Sequence, residues 1–315
     1  MTTLSIILPA KNEAEGLKSF LPRLRKQQPN AEIIIVSDGS TDNTAEVCLS
    51  NGVFVVTHPY SMGNGAAIKS GARHASGEIL VFMDADGQHQ PEDIPRLLTH
   101  INNGYDMAVG ARDGDSQASK ARGFGNALYN RLASYMTGHT VKDLTSGFRA
   151  ARAEKFREFL HLLPNGFSYP TTCTMAFFRS GYSVIYEPIT APKRIGNSHL
   201  NVMKDGFRFL LIIFKIGTLH SPLKLFLPIS LSFFFTGLAY YLYTLTSIGR
   251  FTNMSALLFS TSTIIFLIGL VSEQITSLIY NNSNATPFIL NHVDTNKTWG
   301  EMPQARPSTI IEKMT

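Results

Sequence analysis

A chain of 315 residues with 44% hydrophobic content is long enough for one sizeable domain and a smaller companion. Its net charge of +5 is mild and does not suggest a nucleic-acid binder. Two distant cysteines, Cys48 and Cys173, argue against a disulfide framework or a zinc site and point to a reducing compartment. Residues 4–8 read as a first strand rather than a secretory leader, with neither a basic segment nor a cleavage site around them. A helix follows over 15–27, interrupted early by Pro22, and then a second strand over 33–36. Ser40 or Thr41 is the expected cap of a helix starting near Asn43, with Asp42 at its positive end. A strand over 53–57, a helix over 66–75 and a strand over 79–83 come next. Pro91-Glu92-Asp93 then opens another helix, and a further strand covers 107–109. This alternation predicts an α/β fold, a parallel sheet with helices on both faces.

Ligands of such sheets bind at the carboxyl ends of the strands. That rule gathers five polar clusters on one rim: Pro9-Ala10-Lys11-Asn12-Glu13, Asp38, Ser61-Met62-Gly63-Asn64-Gly65, the Asp84/Asp86/Gln88 turn, and Gly110-Ala111-Arg112. In the fourth cluster a buried strand runs into two carboxylates separated only by Ala85. Two acids that close repel each other and need a cation or a solvated turn. Hard oxygen donors at a strand end suit Mg2+ or Mn2+, which can also grip a diphosphate. The plain alternative is a polar turn after a core strand. Gly63-Asn64-Gly65 before a helix could bring backbone close to a phosphate, or be an ordinary loop. Ile68 stands where a dinucleotide fingerprint would have its third glycine, and no Gly-x-x-x-x-Gly-Lys is present. Neither a nicotinamide enzyme nor a P-loop ATPase is supported.

The carboxyl-terminal third is different. No charge falls between Lys224 and Arg250, or between Arg250 and Glu273. Each run is long enough to cross a hydrocarbon core, which takes ~20 helical residues. The short link over 249–253 makes the pair a hairpin, with Glu273 at the interface or paired within the protein. Over 200–217, Lys204, Arg208 and Lys215 lie beside Phe207, Leu210, Leu211 and Phe214, the pattern of an interfacial helix; a core helix is the alternative. Basic residues precede the first span while Arg250 is alone in the hairpin loop, which places the large domain and the tail in the cytoplasm. The expected organisation is a catalytic domain over 1–199, a juxtamembrane amphipathic helix over 200–222, two transmembrane helices over 223–280 and a polar tail over 281–315.

Leu8-Pro9-Ala10-Lys11-Asn12-Glu13, Ser37-Asp38-Gly39-Ser40-Thr41-Asp42 and Met83-Asp84-Ala85-Asp86 resemble the family 2 glycosyltransferases of GT-A fold. Asp143-Leu144-Thr145-Ser146-Gly147-Phe148-Arg149 and Lys193-Arg194-Ile195-Gly196-Asn197-Ser198-His199 resemble the polyprenyl-phosphate sugar transferases, the group of dolichol-phosphate mannose synthases. The resemblance covers about residues 1–280 and implies a Rossmann-like, mostly parallel sheet followed by a membrane anchor. It implies that Pro9, Lys11, Glu13 and Asp38 hold the base and ribose, and that Asp84, Ala85, Asp86 and Gln88 hold the metal and diphosphate. Asp86, Arg112 and Arg194 would be catalytic, and Arg122, Lys193, Ser198 and His199 would hold the acceptor phosphate, with Lys193, Arg194 and His199 on a loop that closes over the site. Arg149 is a further cation candidate, with a solvated surface charge as its alternative. Two positions depart from the family pattern: Ser37 replaces the first of paired acids, and His199 replaces a lysine.

The implied reaction is a metal-dependent, inverting transfer of one sugar from GDP-mannose or UDP-glucose to dolichyl or undecaprenyl phosphate at an inner or cytoplasmic membrane. The implied partners are a nucleotide sugar, a polyprenyl phosphate and the membrane; a homo-oligomer is left open. A processive polysaccharide synthase is the first alternative, but the only tryptophan is Trp299 and no Gln-x-x-Arg-Trp element exists. A non-catalytic, membrane-tethered nucleotide-sugar binder is the second, and Asp84 and Asp86 argue against it.

Overall fold

The computed structural model describes residues 3–85, 89–112, 120–166, 168–190, 214 and 217–283; for 120–126 and 280–283 it describes the backbone alone. The described residues form a seven-stranded sheet in the order β3-β2-β1-β4-β6-β5-β7. The strands are β1 (Leu4–Ala10), β2 (Glu32–Asp38), β3 (Phe54–His58), β4 (Ile79–Phe82), β5 (Met107–Arg112), β6 (Arg149–Arg152) and β7 (Val184–Ile189). All pairings are parallel except those of β6, which runs antiparallel between β4 and β5.

The central strands are buried on both faces, which explains their unbroken apolar runs. Alternate residues supply two cores. Ile7, Ile34, Val36, Leu80 and Phe82 face one side, with helices α3 (Asn64–His74), α5 (Lys120–Thr137), α6 (Ala153–Glu158) and α7 (Tyr169–Arg179). Ile6, Leu8, Ile33, Ile35 and Val81 face the other, with α1 (Ala14–Gln27), α2 (Thr44–Ser50) and α4 (Ile94–Asn102). The mostly parallel sheet is as expected, but β6 and β7 were not anticipated. Arg149-Ala150-Ala151-Arg152 has little strand propensity and is held by its neighbours on either side. The last strand, β7, lies at the sheet edge and carries Glu187 and Pro188, both unfavourable in a central strand.

Pro22 does not interrupt α1, which is continuous through it. The proline lies on the exposed face, where the carbonyl left without a partner one turn earlier can be hydrated.

The hairpin consists of α8 (Pro222–Ile248) and α9 (Asn253–Ser283), joined through Gly249 in the left-handed conformation (φ 67°). At 1.5 Å per residue each helix exceeds the ~30 Å hydrocarbon thickness. Only 11% and 17% of their most apolar windows are buried in the structure, the opposite of a soluble core helix. The two helices pack through small residues: a Cβ on Gly237 would stand 3.0 Å from that of Leu258. Ser230 and Ser262 exchange hydrogen bonds, each hydroxyl donating to the other's carbonyl at 2.9 Å. The expected interfacial helix lies largely outside the described residues, of which 217–220 are helical.

The hairpin is joined to the α/β domain at the foot of α8. Arg179, at the end of α7, meets Glu273 Oε1 at 3.2 Å, and the Leu223 N–H donates to Glu273 Oε2 at 3.3 Å. Lys224 Nζ donates to the Met136 carbonyl at 2.8 Å. Glu273 is thus paired within the protein. The reciprocal serine pair gives a first test. In a double-mutant cycle of Ser230→Ala and Ser262→Ala, unfolding in detergent should give a coupling energy of about 1 kcal/mol. Additive effects would show that the two bonds do not form.

Candidate active site

Parallel register brings the carboxyl ends of β1, β2 and β4 to one edge, and β6 begins opposite the end of β4 and the middle of β5. Phe82 and Val109 both pair with Arg149. Asp84, two residues past Phe82, Gly147, two before Arg149, and Arg112, three past Val109, therefore lie on the same rim.

The first two loops are tied together. Asn12 adopts a left-handed conformation (φ 55°), which asparagine tolerates better than most residues. Its Oδ1 accepts the Thr41 N–H at 2.8 Å, and its own N–H donates to Ser40 Oγ at 3.2 Å. Ser37, the departure from the paired-acid pattern, is buried and donates to the same Ser40 hydroxyl at 3.0 Å. The residue that serves the helix starts is Asp42, not Ser40 or Thr41: it accepts the Ala14 N–H at 3.2 Å and the Thr44 N–H at 3.0 Å. The hydrogen bond from the Thr44 hydroxyl leads a set that holds its carboxyl below the ordinary value. Lys11 is left exposed on this loop, with Pro9 and Glu13 partly so.

Asp38 is buried, and four hydrogen bonds converge on its carboxylate. His58 Nδ1 (2.8 Å) and the Met62 N–H (2.7 Å) meet one oxygen; the Ser61 hydroxyl (2.8 Å) and the Gly63 N–H (2.9 Å) meet the other. Burial works against the charge, but the bonds from His58, Met62, Gly63 and Ser61 outweigh it and keep the carboxyl below its ordinary value. Asp38 therefore clamps the 58–63 loop. Gly63 and Gly65 are required by backbone: a Cβ on either would stand 2.4 Å from the Asn165 carbonyl oxygen or 2.1 Å from that of Pro164, respectively. The Asn165 carbonyl also accepts the Ala66 N–H at 3.1 Å, so a chain segment, not open space, faces this helix start.

The acidic turn is built more openly. Met83 and Ala85 are buried on either side of Asp84, whose side chain is 35% exposed. The Asp84 N–H donates to His89 Nδ1 at 2.9 Å, and the His89 ring stacks on Phe148 at 5.1 Å. A backbone N–H can only donate, so Nδ1 carries the lone pair and the ring is neutral with its proton on Nε2. A Cβ on Gly147 would stand 3.0 Å from Asp84 Oδ2, so that carboxylate lies directly over the Gly147 turn. Asp86 and Gln88 lie outside the described residues, among which no group of three metal-binding side chains gathers.

Arg112 reaches the rim as expected and meets Asp143 there. Its Nε and Nη2 donate to the two carboxylate oxygens at 2.8 and 3.1 Å, and Nη2 also donates to Thr145 Oγ1 at 2.7 Å. Burial raises the cost of the Asp143 charge, but the Arg112 fork more than offsets it and holds the carboxyl below its ordinary value. Arg149 requires a correction. It is neither a surface charge nor open to an acceptor phosphate, being fully buried. Its Nη1 donates to the Pro170 carbonyl (3.0 Å) and to Thr174 Oγ1 (3.2 Å), its Nη2 donates to the Ser146 carbonyl, and the Tyr169 ring lies beneath it. Arg122 lies on α5, where only the backbone is described; Lys193, Arg194, Ser198 and His199 lie outside the described residues.

Sequence reasoning assigned no role to His89, Asp143 or Gly147. A histidine five residues after Asp84, in the same turn, was the available signal for the first. For the other two, the strand that returns them to the rim was itself unread.

Two family models match the chain: glycosyl transferase family 2 over residues 5–160 and the GtrB C-terminal hairpin over residues 221–278. A glycosyltransferase of Haloferax volcanii, AglJ, is 27% identical over 288 residues, covering 87% of this chain and 93% of the relative. The undecaprenyl-phosphate mannosyltransferase of Micrococcus luteus is 31% identical over 213 residues, covering 62% of this chain and 86% of the relative. Among solved structures, glucosyl-3-phosphoglycerate synthase from Mycobacterium tuberculosis, in complex with Mn2+, UDP and glucosyl-3-phosphoglycerate, superimposes with a TM-score of 0.56. It is 21% identical, over 69% of this chain and 79% of that chain, and shows the shared fold.

The Asp38 clamp sets the next prediction. Asp38→Ala leaves two backbone N–H groups and two side chains without their acceptor and should cost about 3 kcal/mol of stability at pH 7, read by chemical denaturation. Because the native carboxyl is held below its ordinary value, this contribution is complete above about pH 4 and fades as the pH falls through the lowered value. The gap between wild type and variant should therefore narrow only in acid; a gap that narrowed toward neutral pH would contradict the clamp.

Proposed function

Because the chain belongs to glycosyl transferase family 2, we propose that it moves one sugar from a nucleotide sugar, GDP-mannose or UDP-glucose, to dolichyl or undecaprenyl phosphate at a membrane surface. The observation that carries the reading is the Asp84 carboxylate, presented at the sheet edge between His89 and Gly147 and near the Arg112–Asp143 pair. Relatives named for transfer to undecaprenyl phosphate and the apolar hairpin support the lipid acceptor.

The donors proposed for the cation, Asp84, Asp86 and Gln88, are all oxygen donors and fit Mg2+ or Mn2+, and Asp84 is open enough to coordinate. When bound, the cation offsets the charge developing on the leaving diphosphate. Pro9, Lys11 and Glu13 hold the nucleotide, and Asp38 acts through the loop it clamps. The acceptor phosphate is already anionic at pH 7 and needs no base to strip a proton. It needs positive charge to approach a second anion, which Arg112 and Arg194 supply while Arg122, Lys193, Ser198 and His199 hold the phosphate. Asp143 fixes the plane of the Arg112 guanidinium at the rim through two hydrogen bonds. In-line attack then gives an inverted product, and the catalytic domain and tail face the cytoplasm.

Membranes containing the protein, labelled GDP-mannose or UDP-glucose and undecaprenyl phosphate should yield labelled lipid with inverted anomeric configuration. Failure with every sugar nucleotide would sink the reading. Asp86→Ala and exhaustive chelation should each lower transfer by about a hundredfold or more, with membrane insertion intact; undiminished turnover would remove the cation from the mechanism. Gly147→Ala should displace the Asp84 carboxylate and lower transfer by roughly tenfold or more, while the melting temperature changes little. Full activity in that variant would show that the contact does not position Asp84.

A further inference from the structure

At the joint between the catalytic domain and the hairpin lies a cavity of about 230 Å3. The ends of α5 and α7 form one side, with Thr137, Phe178 and Arg179, and the approach to α8 forms the other, with His220, Ser221 and Lys224. Every polar side chain in this lining carries a hydrogen-bond donor, and no carboxylate is among them. A cavity of that kind takes an acceptor-rich, anionic group.

The charges define which anion. Arg179 is balanced by Glu273 at 3.2 Å. Burial, and behind it the Arg179 charge, push His220 down to about 3, so it is neutral at pH 7. Lys224 has no carboxylate within ion-pair reach among the described residues; its ammonium donates to the Met136 carbonyl at 2.8 Å, which occupies one of three N–H groups. Ser221 reaches the same carbonyl at a longer 3.4 Å. Among the described residues the cavity is therefore short of a single negative charge. A phosphodiester supplies one; a terminal phosphomonoester would bring more.

The position defines its source. Lys224 sits in the first turn of α8, beyond which the helix is uncharged to Ile248. Its ammonium lies where the apolar span begins, the depth of lipid headgroups, and Met136, Met175 and Phe178 offer an apolar flank. The catalytic rim is at the other end of α7. Tyr169, which reaches the Gly147 carbonyl, and Arg179 are separated by the helix's 11 residues, or ~16 Å.

We propose that this cavity seats the phosphodiester headgroup of an anionic bilayer phospholipid, with Lys224 as its charge partner and Ser221 as a hydroxyl donor. This site is separate from that of the acceptor lipid. It depends on the hairpin entering a bilayer and not on which sugar or acceptor the enzyme uses.

The test is thermal unfolding of the full chain in phosphatidylcholine nanodiscs, with and without phosphatidylglycerol. Phosphatidylglycerol should raise the melting temperature of the wild type by about 2–4 °C. Lys224→Gln should lose the rise, Lys224→Arg should keep it, and Ser221→Ala should reduce it, providing a second reading if Lys224→Gln fails to fold. Native mass spectrometry should show several-fold less phosphatidylglycerol retained by Lys224→Gln. Equal melting in the two bilayers, a full rise in Lys224→Gln, or the same rise from inorganic phosphate or polyprenyl phosphate in phosphatidylcholine alone would overturn the proposal. The readout is independent of sugar transfer, so failure of one reading is distinguishable from failure of the other.

Discussion

Arg149 begins β6 with its whole side chain out of water and no carboxylate beside it among the described residues. A buried guanidinium is costly unless its N–H groups are matched; here the carbonyls of Ser146 and Pro170 and the hydroxyl of Thr174 meet Nη1 and Nη2, while Nε has no partner among the described residues. Those acceptors belong to two different segments, the turn before β6 and the start of α7. The guanidinium therefore binds the turn carrying Gly147 to the helix behind it. Tyr169 reinforces the same junction, donating to the Gly147 carbonyl at 3.3 Å. The position of Asp84 depends on this assembly, since its carboxylate lies against Gly147 with no room for a side chain between them.

The rim carboxylates differ in how much of each remains available. Asp38 and Asp143 have side chains only 7% and 10% exposed, and their oxygens are matched by internal donors. Asp84 is more open, with a side chain 35% exposed and a backbone N–H that donates to His89. The first two acids fix the loops on either side of the site, and the third is the most exposed of the three. Residue type alone does not separate these roles; the partners of each carboxylate do.

Legibility in the sequence followed how local each determinant is. The strands β1, β2 and β4 were readable because burial on both faces leaves an unbroken apolar run. The hairpin was readable because a span cannot tolerate charge. The short β6 was not, because Arg149-Ala150-Ala151-Arg152 becomes a strand through its neighbours. Without it, Asp143 and Gly147 could not be placed beside Arg112 and Asp84, and Arg149 passed for a surface cation. The glycines at 63 and 65 suggested a phosphate loop, whereas the groups that crowd them come from 164–166, about a hundred residues on. Glu273 could be expected to find a partner, but nothing local identified Arg179, 94 residues earlier.

That last pair has a consequence for how the protein can be recombined. A foreign hairpin grafted after residue 221 would bring its own residue to the position of Glu273. Unless that residue were acidic, Arg179 would lose its Glu273 partner at the apolar boundary, and the backbone N–H at position 223 would lose its acceptor as well. Anchor and catalytic domain are thus matched halves, and chimeras between distant members should assemble only where the acid and the arginine travel together.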